Sequence, residues 1–441
     1  MKSNRFIVGF DYILFLSVIF LTIIGIMFIY SANINKSNDL KLEYLKQISF
    51  LIVSLVLFFV ILFFPTRNFQ NYSLGFYIIC LVGLGLTLFF PEVMGQRRMN
   101  LGGVSIQFSE FMKIATISLL AYYFSQRSKD ELKDIKIYLK ACILGLFPVG
   151  LIMLQPDLGT SLVYFPVLIA ISYVAGVSRK FLLYTLLLVL VTSSIPVLTT
   201  INHLFYNNEN EILSLLVNPR YIAILFLTLI LTLGISLLVY FDILKGISQK
   251  FKIFFFWYIF ICSVFLIGLT LSYPVNKFLK PYQKDRLLIF FNPYVDAKGS
   301  GYHIIQSMTT IGNGGLFGKG WQKGEQAQKF FLPEQATDFI YPVIAEESGF
   351  LGSIIVLILY FLIFYRGVRI ILYARDYWSV YTVTGLLTMY LFHIIQNMGM
   401  CVGIMPITGI PLPFLSYGGS FLMTCYMGIG IIMNINFSRY Y

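Results

Sequence analysis

The segment FFLPEQATDFIYPVIAEESG, residues 330–349, marks where the longest polar stretch of the chain, residues 274–337, turns into a long apolar run. Apolar runs fill nearly all of the remaining sequence, so this loop is where the chain has room for chemistry in water. A long loop is usually either functional or disordered, and the closely spaced apolar and aromatic residues here favour an ordered one. Asp338 ends the loop at the mouth of an apolar helix, and an ionisable group in that position is a candidate site residue.

The composition is typical of a membrane protein. Of 441 residues, 58% are hydrophobic and 12% are charged, whereas a soluble domain has roughly a quarter charged residues. We therefore expect an all-α polytopic membrane protein that forms one integral-membrane domain over residues 1–441, without a separate soluble domain. The formal net charge of +12 indicates anionic lipid headgroups and orientation signals, and no basic, aromatic-rich module for nucleic acid is visible.

About twelve apolar stretches are long enough to cross a bilayer, which takes about 20 residues in a helix. Their periodicity cannot orient them, because they are apolar nearly all round. The large loop precedes the tenth of them. The candidate spans are residues 11–32, 46–64, 72–90, 108–125, 138–154, 158–176, 180–200, 220–241, 253–273, 338–365, 379–400 and 416–437.

Lysine and arginine residues in the short loops orient the chain, since they favour the cytoplasmic side. If the N-terminus is inside, most of them fall in inner loops, with Lys36 and Lys41 as outer exceptions. This pattern predicts both termini in the cytoplasm and the 274–337 loop outside. The inner basic residues include Arg67, Arg127, Arg179, Lys252, Arg366 and Arg369.

The sequence shows no metal-binding or disulfide pattern. Its five cysteines lie in apolar runs and are typical of small core residues. His303, in the large loop, has no histidine or cysteine partner at metal-ligand spacing. The cysteines are Cys80, Cys142, Cys262, Cys401 and Cys425.

The segment between the third and fourth predicted spans carries charges in unusual places. Arg98 is expected outside, against the general charge trend, and the planar fork of arginine donors suits phosphate. Glu110 and Lys113 are three residues apart at the start of a helix and share a face. They form either an internal salt bridge or a pair with a task at the site, and the spacing leaves both open.

Three further positions each have a structural and a functional interpretation. Asp157, in a tight outer turn, either caps the following helix or belongs to a site. Trp321 either stacks on a sugar ring or anchors the loop at the membrane interface. Ser416 begins the last span in the motif SYGGS, whose small and hydroxyl residues allow close helix packing.

Five stretches, in this order, resemble the shape, elongation, division and sporulation (SEDS) family of bacterial membrane glycosyltransferases. They run from residue 97 to 420, and each is weak alone, whereas five in order are highly specific. The motif GKGW, the AEE after Asp338 and the motif GIPLPFLSYGG favour the elongation branch over the division branch. The stretches are RRMNLGGVSIQFSEFMK, QPDLGTS, KDRLLIFFNP through GSGYHIIQS to GNGGLFGKGW, FLPEQATDFIYPVIAEESGFLG and GIMPITGIPLPFLSYGGS.

The resemblance implies an enzyme that polymerises peptidoglycan glycan strands from lipid II during cell elongation and rod-shape maintenance. It also implies the bacterial cytoplasmic (inner) membrane as location and a class B penicillin-binding protein as partner. The family's essential aspartate falls on Asp338, which we expect to be catalytic. The expected substrate-binding residues are Arg98, Glu110, Lys113, Asp157, Arg286, Trp321 and Ser416.

Two departures from the family pattern stand out. Met99 follows the arginine at a position where the family usually has tryptophan, so a stacking role there is not carried over. The family usually has ten spans, and residues 201–273 supply two additional ones. Because the added number is even, the large loop still lies outside.

The implied reaction joins two lipid-linked disaccharides by attack of a sugar hydroxyl on an anomeric carbon, with undecaprenyl diphosphate leaving. A carboxylate within hydrogen-bond reach can take the hydroxyl proton, and this is the role expected of Asp338. The leaving diphosphate needs cationic stabilisation, for which Arg98, Lys113 and Arg286 are candidates in that order. A divalent cation such as Mg²⁺ or Mn²⁺ is compatible with this chemistry, although the sequence offers no ligand set.

Two other function classes fit parts of the sequence. A flippase or transporter for a lipid-linked precursor would also have many helices with few polar groups at membrane depth, but no inverted repeat is visible. A scaffold without catalytic activity could instead activate a partner synthase. The chain has no transpeptidase serine motif, so crosslinking falls to the partner. We expect the partner's transmembrane helix on the last two spans, near Gly399, Gly403 and Gly428.

Overall fold

The chain is almost entirely helical in this computed structural model. The described residues are 9–34, 42–90, 92–93, 96–97, 99–101, 104–155, 157–205, 219–241, 249–278, 280–296, 299, 301–329 and 334–439. Their α-helices are α1 (Tyr12–Asn33), α2 (Glu43–Phe63), α3 (Thr66–Thr87), α4 (Phe108–Ser125), α5 (Ile135–Met153), α6 (Leu158–Leu162), α7 (Tyr164–Ala175), α8 (Arg179–Phe205), α9 (Pro219–Tyr240), α10 (Gln249–Phe278), α11 (Pro281–Phe291), α12 (Tyr302–Asn313), α13 (Glu325–Gln328), α14 (Ile340–Tyr373), α15 (Tyr377–Cys401) and α16 (Gly419–Ser438).

Eleven helical segments within the described ranges are long and apolar enough to cross a membrane. They are α1, α2, α3, α5, the run of α6 and α7, α8, α9, α10, α14, α15 and α16. The remaining predicted span, residues 108–125, is present as the helix α4. It is not among the eleven, because Glu110 and Lys113 lower its mean hydropathy. The predicted all-α polytopic membrane fold is confirmed.

Aspartate side chains cap the N-termini of four α-helices. At each start the carboxylate accepts a hydrogen bond from a backbone N–H of the first turn, a group that has no partner within the helix. The capping residues are Asp11 for α1, Asp134 for α5, Asp157 for α6 and Asp376 for α15.

The chain forms two compact units, of which the second, Ser178–Phe291, contains α8 to α11. Within it, α10 packs against α8 and α9, and α8 also packs against α11. The two additional spans predicted in residues 201–273 therefore exist as α9 and α10. Helix α10 continues through Pro274 to Phe278, beyond the predicted end at residue 273.

The first unit, Met1–Val177 with Asn292–Tyr441, has α4 in its core. Helix α4 packs against α3, α7 and α15, and most of its residues are buried. One apolar cluster joins Leu84 of α3, Met112 of α4 and Ile152 of α5. In a bilayer such contacts are stabilised by van der Waals packing rather than by removal of apolar surface from water.

Two short β-hairpins between α3 and α4 were not predicted from the sequence. Strand β1 (Glu92–Val93) pairs antiparallel with β2 (Gln96–Arg97), and β3 (Met99–Leu101) pairs antiparallel with β4 (Val104–Ile106). Arg98 comes between β2 and β3 in the sequence and lies outside the described residues.

The large loop, residues 274–337, is largely helical where the structure describes it. It holds α11, α12, α13 and a single turn of 3₁₀-helix at Pro293–Asp296. Helix α12 packs on α14. The spaced apolar residues of this loop predict that it is ordered. They do not predict that it contains helices.

Helix α14 is 34 residues long and is broken at Gly349, where φ is 67° and ψ is −164°. Only glycine adopts this conformation readily. The break frees backbone groups on both sides, and loop residues 315–320 pair with them. The bonds run from Lys319 N–H to Glu346 O, Gly320 N–H to Glu347 O, Phe350 N–H to Gly315 O and Leu351 N–H to Leu316 O, at 2.9–3.2 Å.

The three glycines expected at the partner contact pack closely against other parts of the chain. A Cβ atom on Gly428 would lie 2.1 Å from the Tyr390 hydroxyl, and one on Gly399 would lie 2.7 Å from Met405. A Cβ on Gly403 would meet the Met308 sulfur at 3.0 Å. These glycines therefore make close contacts within the chain, and the partner helix on the last two spans stays a prediction.

Candidate active site

Asp338 lies two residues before α14, in the turn that ends the large loop. Its side chain is half-buried, and its backbone carbonyl accepts a hydrogen bond from Nδ2 of Asn397 at 2.8 Å. Asn397 is fully buried on α15, and its Nδ2 also donates to the Ile410 carbonyl at 2.7 Å. A side chain from the protein core thus fixes the backbone that carries Asp338.

The segment 402–418, here called the proline loop, touches the Asp338 turn directly. The Tyr417 N–H donates to the Ala336 carbonyl at 2.9 Å. Ser416, an expected substrate-binding residue, is buried, and its Oγ accepts a hydrogen bond from the Leu412 N–H at 2.8 Å. Ser416 therefore shapes the loop that supports Asp338.

Glu110 and Lys113 form a buried ion pair, with Lys113 Nζ 2.7 Å from a Glu110 carboxylate oxygen. Only 5% of the Glu110 side chain and 2% of the Lys113 side chain are exposed. Lys113 Nζ also lies 3.1 Å from Nε2 of His393 and 5.3 Å from the centre of the Phe421 ring. The pair expected from the spacing is present and is enclosed by protein.

The contacts of His393 assign its tautomer. Its Nδ1 lies 3.2 Å from the Pro411 carbonyl oxygen, which can only accept a hydrogen bond, so Nδ1 carries a proton. A neutral imidazole then has an unprotonated Nε2, which accepts a hydrogen bond from the Lys113 ammonium. His393 is buried, and a neutral ring beside a lysine avoids placing two positive charges together.

The contacts around Lys113 and the contacts that hold the Asp338 turn meet at the proline loop. His393 and Asn397 are four residues apart on α15, which puts them on the same face of the helix. They bind the neighbouring carbonyls of Pro411 and Ile410. The Lys113 cluster and the Asp338 turn are therefore connected through two adjacent peptide groups.

Asp157 is buried and acts as a cap. Its carboxylate accepts hydrogen bonds from the Thr160 N–H at 3.0 Å and the Thr160 hydroxyl at 2.7 Å. It also accepts one from Nε2 of Gln107 at 2.9 Å, the residue that precedes α4. The expected substrate-binding residue Asp157 thus joins the starts of α6 and α4.

Two buried glutamates hold the outer loop on α14. Glu346 accepts hydrogen bonds from the N–H groups of Gln326 and Ala327 at the start of α13, and Glu347 accepts them from the Gln322 N–H and the Ser31 hydroxyl. Carboxylates bound to backbone N–H groups make strong, charge-assisted contacts. The segment that carries Trp321 is thereby fixed on the broken helix.

Trp321 itself remains accessible, with 48% of its surface exposed. Its ring centre is 6.2 Å from that of Tyr30, at the end of α1. An exposed aromatic surface on a fixed loop is compatible with both interpretations, a sugar contact and an interfacial anchor.

Of the two expected arginines, Arg286 lies among the described residues and Arg98 does not. Arg286 belongs to α11 in the second unit, where its guanidinium lies 5.5 Å from the centre of the Tyr282 ring. The structure therefore brings Glu110, Lys113 and Ser416 into one network with the Asp338 turn, and links Asp157 to α4.

His393 was missed by reasoning from the sequence. An ionisable residue inside an apolar span, one turn before Asn397, is itself a signal of a functional position. Its partner Lys113 is 280 residues away in the chain, and no local pattern reveals that contact.

No group of three or more histidine, cysteine, aspartate or glutamate side chains that could hold a metal ion occurs among the described residues. The described residues therefore offer no ligand cluster of this kind for a metal site built by the protein.

Residues 11–220 and 203–441 match the family profile FTSW_RODA_SPOVE, described as cell cycle protein. The chain is 38% identical over 338 residues to peptidoglycan glycosyltransferase RodA of Treponema pallidum, with 76% of each chain covered. It is 32% identical over 378 residues to stage V sporulation protein E of Bacillus subtilis, with 84% of this chain and 81% of the relative covered.

The fold is also similar to a solved structure described as showing structural coordination of polymerization and crosslinking by a peptidoglycan synthase complex. The TM-score is 0.67, the sequence identity is 25%, and 98% of each chain is covered.

Proposed function

The chain belongs to the FtsW, RodA and SpoVE family, and from this premise we propose how its residues carry out glycan polymerisation. Like its Treponema relative, it is a peptidoglycan glycosyltransferase, and it spans the membrane many times. The substrate is lipid II, and the general base is Asp338. The protein acts in the bacterial inner membrane with both termini in the cytoplasm, as the loop charges predict.

Asp338 accepts the proton of the attacking sugar hydroxyl as the new glycosidic bond forms at the anomeric carbon of the second disaccharide. Undecaprenyl diphosphate leaves with the electron pair of the broken bond. A general base positioned in this way contributes roughly 10²–10⁴-fold to the rate.

The observation that supports Asp338 most strongly is the hydrogen bond from buried Asn397 to its carbonyl. This contact holds the backbone of Asp338 at the boundary between a polar loop and a membrane helix. General bases need such fixed geometry, because a small displacement from the reacting proton removes most of the rate gain.

Glu110 and Lys113 contribute by positioning. The ion pair is enclosed, and Lys113 reaches the proline loop through His393 and the Pro411 carbonyl. The same loop is bound by Asn397, which also binds Asp338. The pair therefore keeps the support of Asp338 in place.

Charge on the leaving diphosphate is stabilised by arginine, whose fork of donors matches phosphate oxygens. Arg98 and Arg286 are the candidates for this role. Trp321 supplies an exposed ring for a sugar of the growing strand, on a loop that Glu346 and Glu347 hold in place.

A class B penicillin-binding protein supplies the crosslinking activity. The support for this partner is the fold shared with a chain of a peptidoglycan synthase complex and the lack of a transpeptidase serine motif in this sequence. Uncrosslinked strands are the expected product of this chain alone.

A polymerisation assay separates this function from a flippase or a scaffold. Purified full-length protein is incubated with fluorescent lipid II, and products are resolved on a gel. Glycan strands are the expected product. Transport of lipid II across vesicles without strand formation would support a flippase, and strand formation only with an added synthase would support a scaffold.

A further inference from the structure

A pocket of about 200 Å³ lies at the far end of α14 from Asp338, between that helix, the start of α1 and the end of α16. A single water needs only about 10–15 Å³ of such space, so a group of several heavy atoms fits. Nothing in the proposed reaction uses this pocket.

The pocket is rich in positive charge. Arg366, Arg369 and Arg439 line it, and Asp11 is the acidic residue in its described lining. Asp11 is buried, caps α1 through the Leu14 N–H and accepts a hydrogen bond from Arg366 Nε at 2.7 Å. This ion pair forms a fixed wall of the pocket.

Arg439 caps the C-terminus of α16, but two ordinary explanations are insufficient for Arg366 and Arg369. Basic residues can stabilise a helix C-terminus, but this effect is confined to the last turn, and Arg366 and Arg369 lie before the last turn of α14. Positive charge also orients membrane helices, but a topology signal needs no pocket.

An apolar stripe on a neighbouring face of α14 meets the pocket lining at Arg369. Four large apolar side chains on one face of the helix, spaced four, three and four residues apart, are exposed. They are Phe361, Tyr365, Val368 and Leu372. The ring of Tyr365 also lies 6.0 Å from the Arg369 guanidinium. Exposed apolar groups beside a cationic pocket suit an amphiphilic anion rather than a free one.

We propose that this pocket binds the phosphate group of an anionic phospholipid, whose acyl chains lie along the apolar stripe of α14. Basic pockets between transmembrane helices on the cytoplasmic side recognise anionic headgroups, and the loop charges put this end of α14 in the cytoplasm. Guanidinium groups suit phosphate because they donate two parallel hydrogen bonds. The site is separate from glycan chemistry and does not depend on it.

Native mass spectrometry of the full-length protein tests this proposal. The protein is mixed with equal amounts of phosphatidylglycerol and phosphatidylcholine of identical acyl chains, and the retained lipids are counted. We expect the wild type to retain one phosphatidylglycerol in preference to phosphatidylcholine. Arg369→Gln should lower this preference roughly fivefold, which is the change in affinity expected when one basic residue near an anionic surface is lost.

Arg369 is exposed, so its substitution should leave the fold intact, and circular dichroism checks this. Arg439→Gln is a second variant with the same expected loss. Lys133→Gln removes an exposed basic residue outside the pocket and should leave the lipid preference unchanged.

Equal retention of both lipids by the wild type, or an unchanged preference in both arginine variants, would overturn the proposal. Inorganic phosphate added in excess distinguishes the source of the anion. Retention of phosphatidylglycerol under these conditions is expected, because free phosphate lacks acyl chains. Full displacement by phosphate would reject a lipid site.

Discussion

Two ion pairs with the same three-residue spacing lie at opposite ends of α4. Glu110 and Lys113 are paired in its first turns, and Asp130 and Lys133 are paired in the segment after its end, at N–O distances of 2.7 Å and 2.8 Å. The side chains of the first pair are 5% and 2% exposed, and those of the second are 93% and 67% exposed. Their surroundings, rather than their geometry, distinguish the two pairs.

The difference decides what each pair does. In water, screening and side-chain entropy leave an exposed pair with little net effect. In the protein interior, a charge that loses its partner is left unsolvated, which makes each member of the buried pair dependent on the other. The buried pair is therefore part of the framework around Asp338, whereas the exposed pair is not.

The largest expected effect is the loss of one buried partner. Lys113→Met leaves the Glu110 carboxylate enclosed without its cation, which costs about 3–5 kcal/mol in the free energy of unfolding. Lys133→Met is the matched control at the exposed pair and should not change stability measurably. Reversible unfolding of the purified variants in detergent measures both. Equal destabilisation by the two substitutions would remove the distinction between the pairs.

The double variant Glu110→Gln with Lys113→Met removes both charges and should recover most of that loss, because no unpaired charge remains. If the double variant folds as the wild type and still polymerises lipid II at the wild-type rate, the pair has no role in positioning Asp338.

A smaller effect is expected at the residue that joins the buried pair to the proline loop. His393→Phe removes the acceptor for Lys113 and the donor for the Pro411 carbonyl, at a cost of about 1–3 kcal/mol for buried polar groups left without partners. His393→Gln restores an acceptor and a donor and should regain part of the stability. We expect kcat to fall more in the Phe variant than in the Gln variant, with KM little changed. Identical kcat values in both variants and the wild type would show that the Lys113 cluster does not influence the Asp338 turn through His393.

The smallest effect is expected at the exposed pair. The hydrogen bond and the charge of Lys133 lower the pKa of Asp130 below its usual value. A lowered pKa favours the folded state above the unfolded-state pKa, and this contribution is lost as the pH falls through the folded-state pKa. Lys133→Met should return the Asp130 pKa towards its usual value in an NMR titration of the carboxyl carbon. An unchanged pKa would mean that the pair does not persist in solution.

The sequence predicts the spans well because bilayer thickness sets the length of an apolar helix. It also predicts that Glu110 and Lys113 share a face, since that follows from helix geometry alone. It does not predict the break at Gly349, because the freed backbone groups are paired by residues 315–320 of a distant loop. The contacts from His393 and Asn397 to Pro411 and Ile410 likewise depend on how a loop returns to its helix.

The central claim, that Asp338 is the general base, is tested most directly by glycan synthesis with purified Asp338→Asn. Asparagine keeps the size of the side chain and the backbone contact with Asn397, but it cannot accept the proton. The control is Glu334→Gln, which neutralises an exposed carboxylate four residues earlier and should retain wild-type activity. We expect Asp338→Asn to fold normally and to lose about 10²–10⁴-fold in rate. Strand synthesis by Asp338→Asn at a rate close to that of Glu334→Gln would contradict the account.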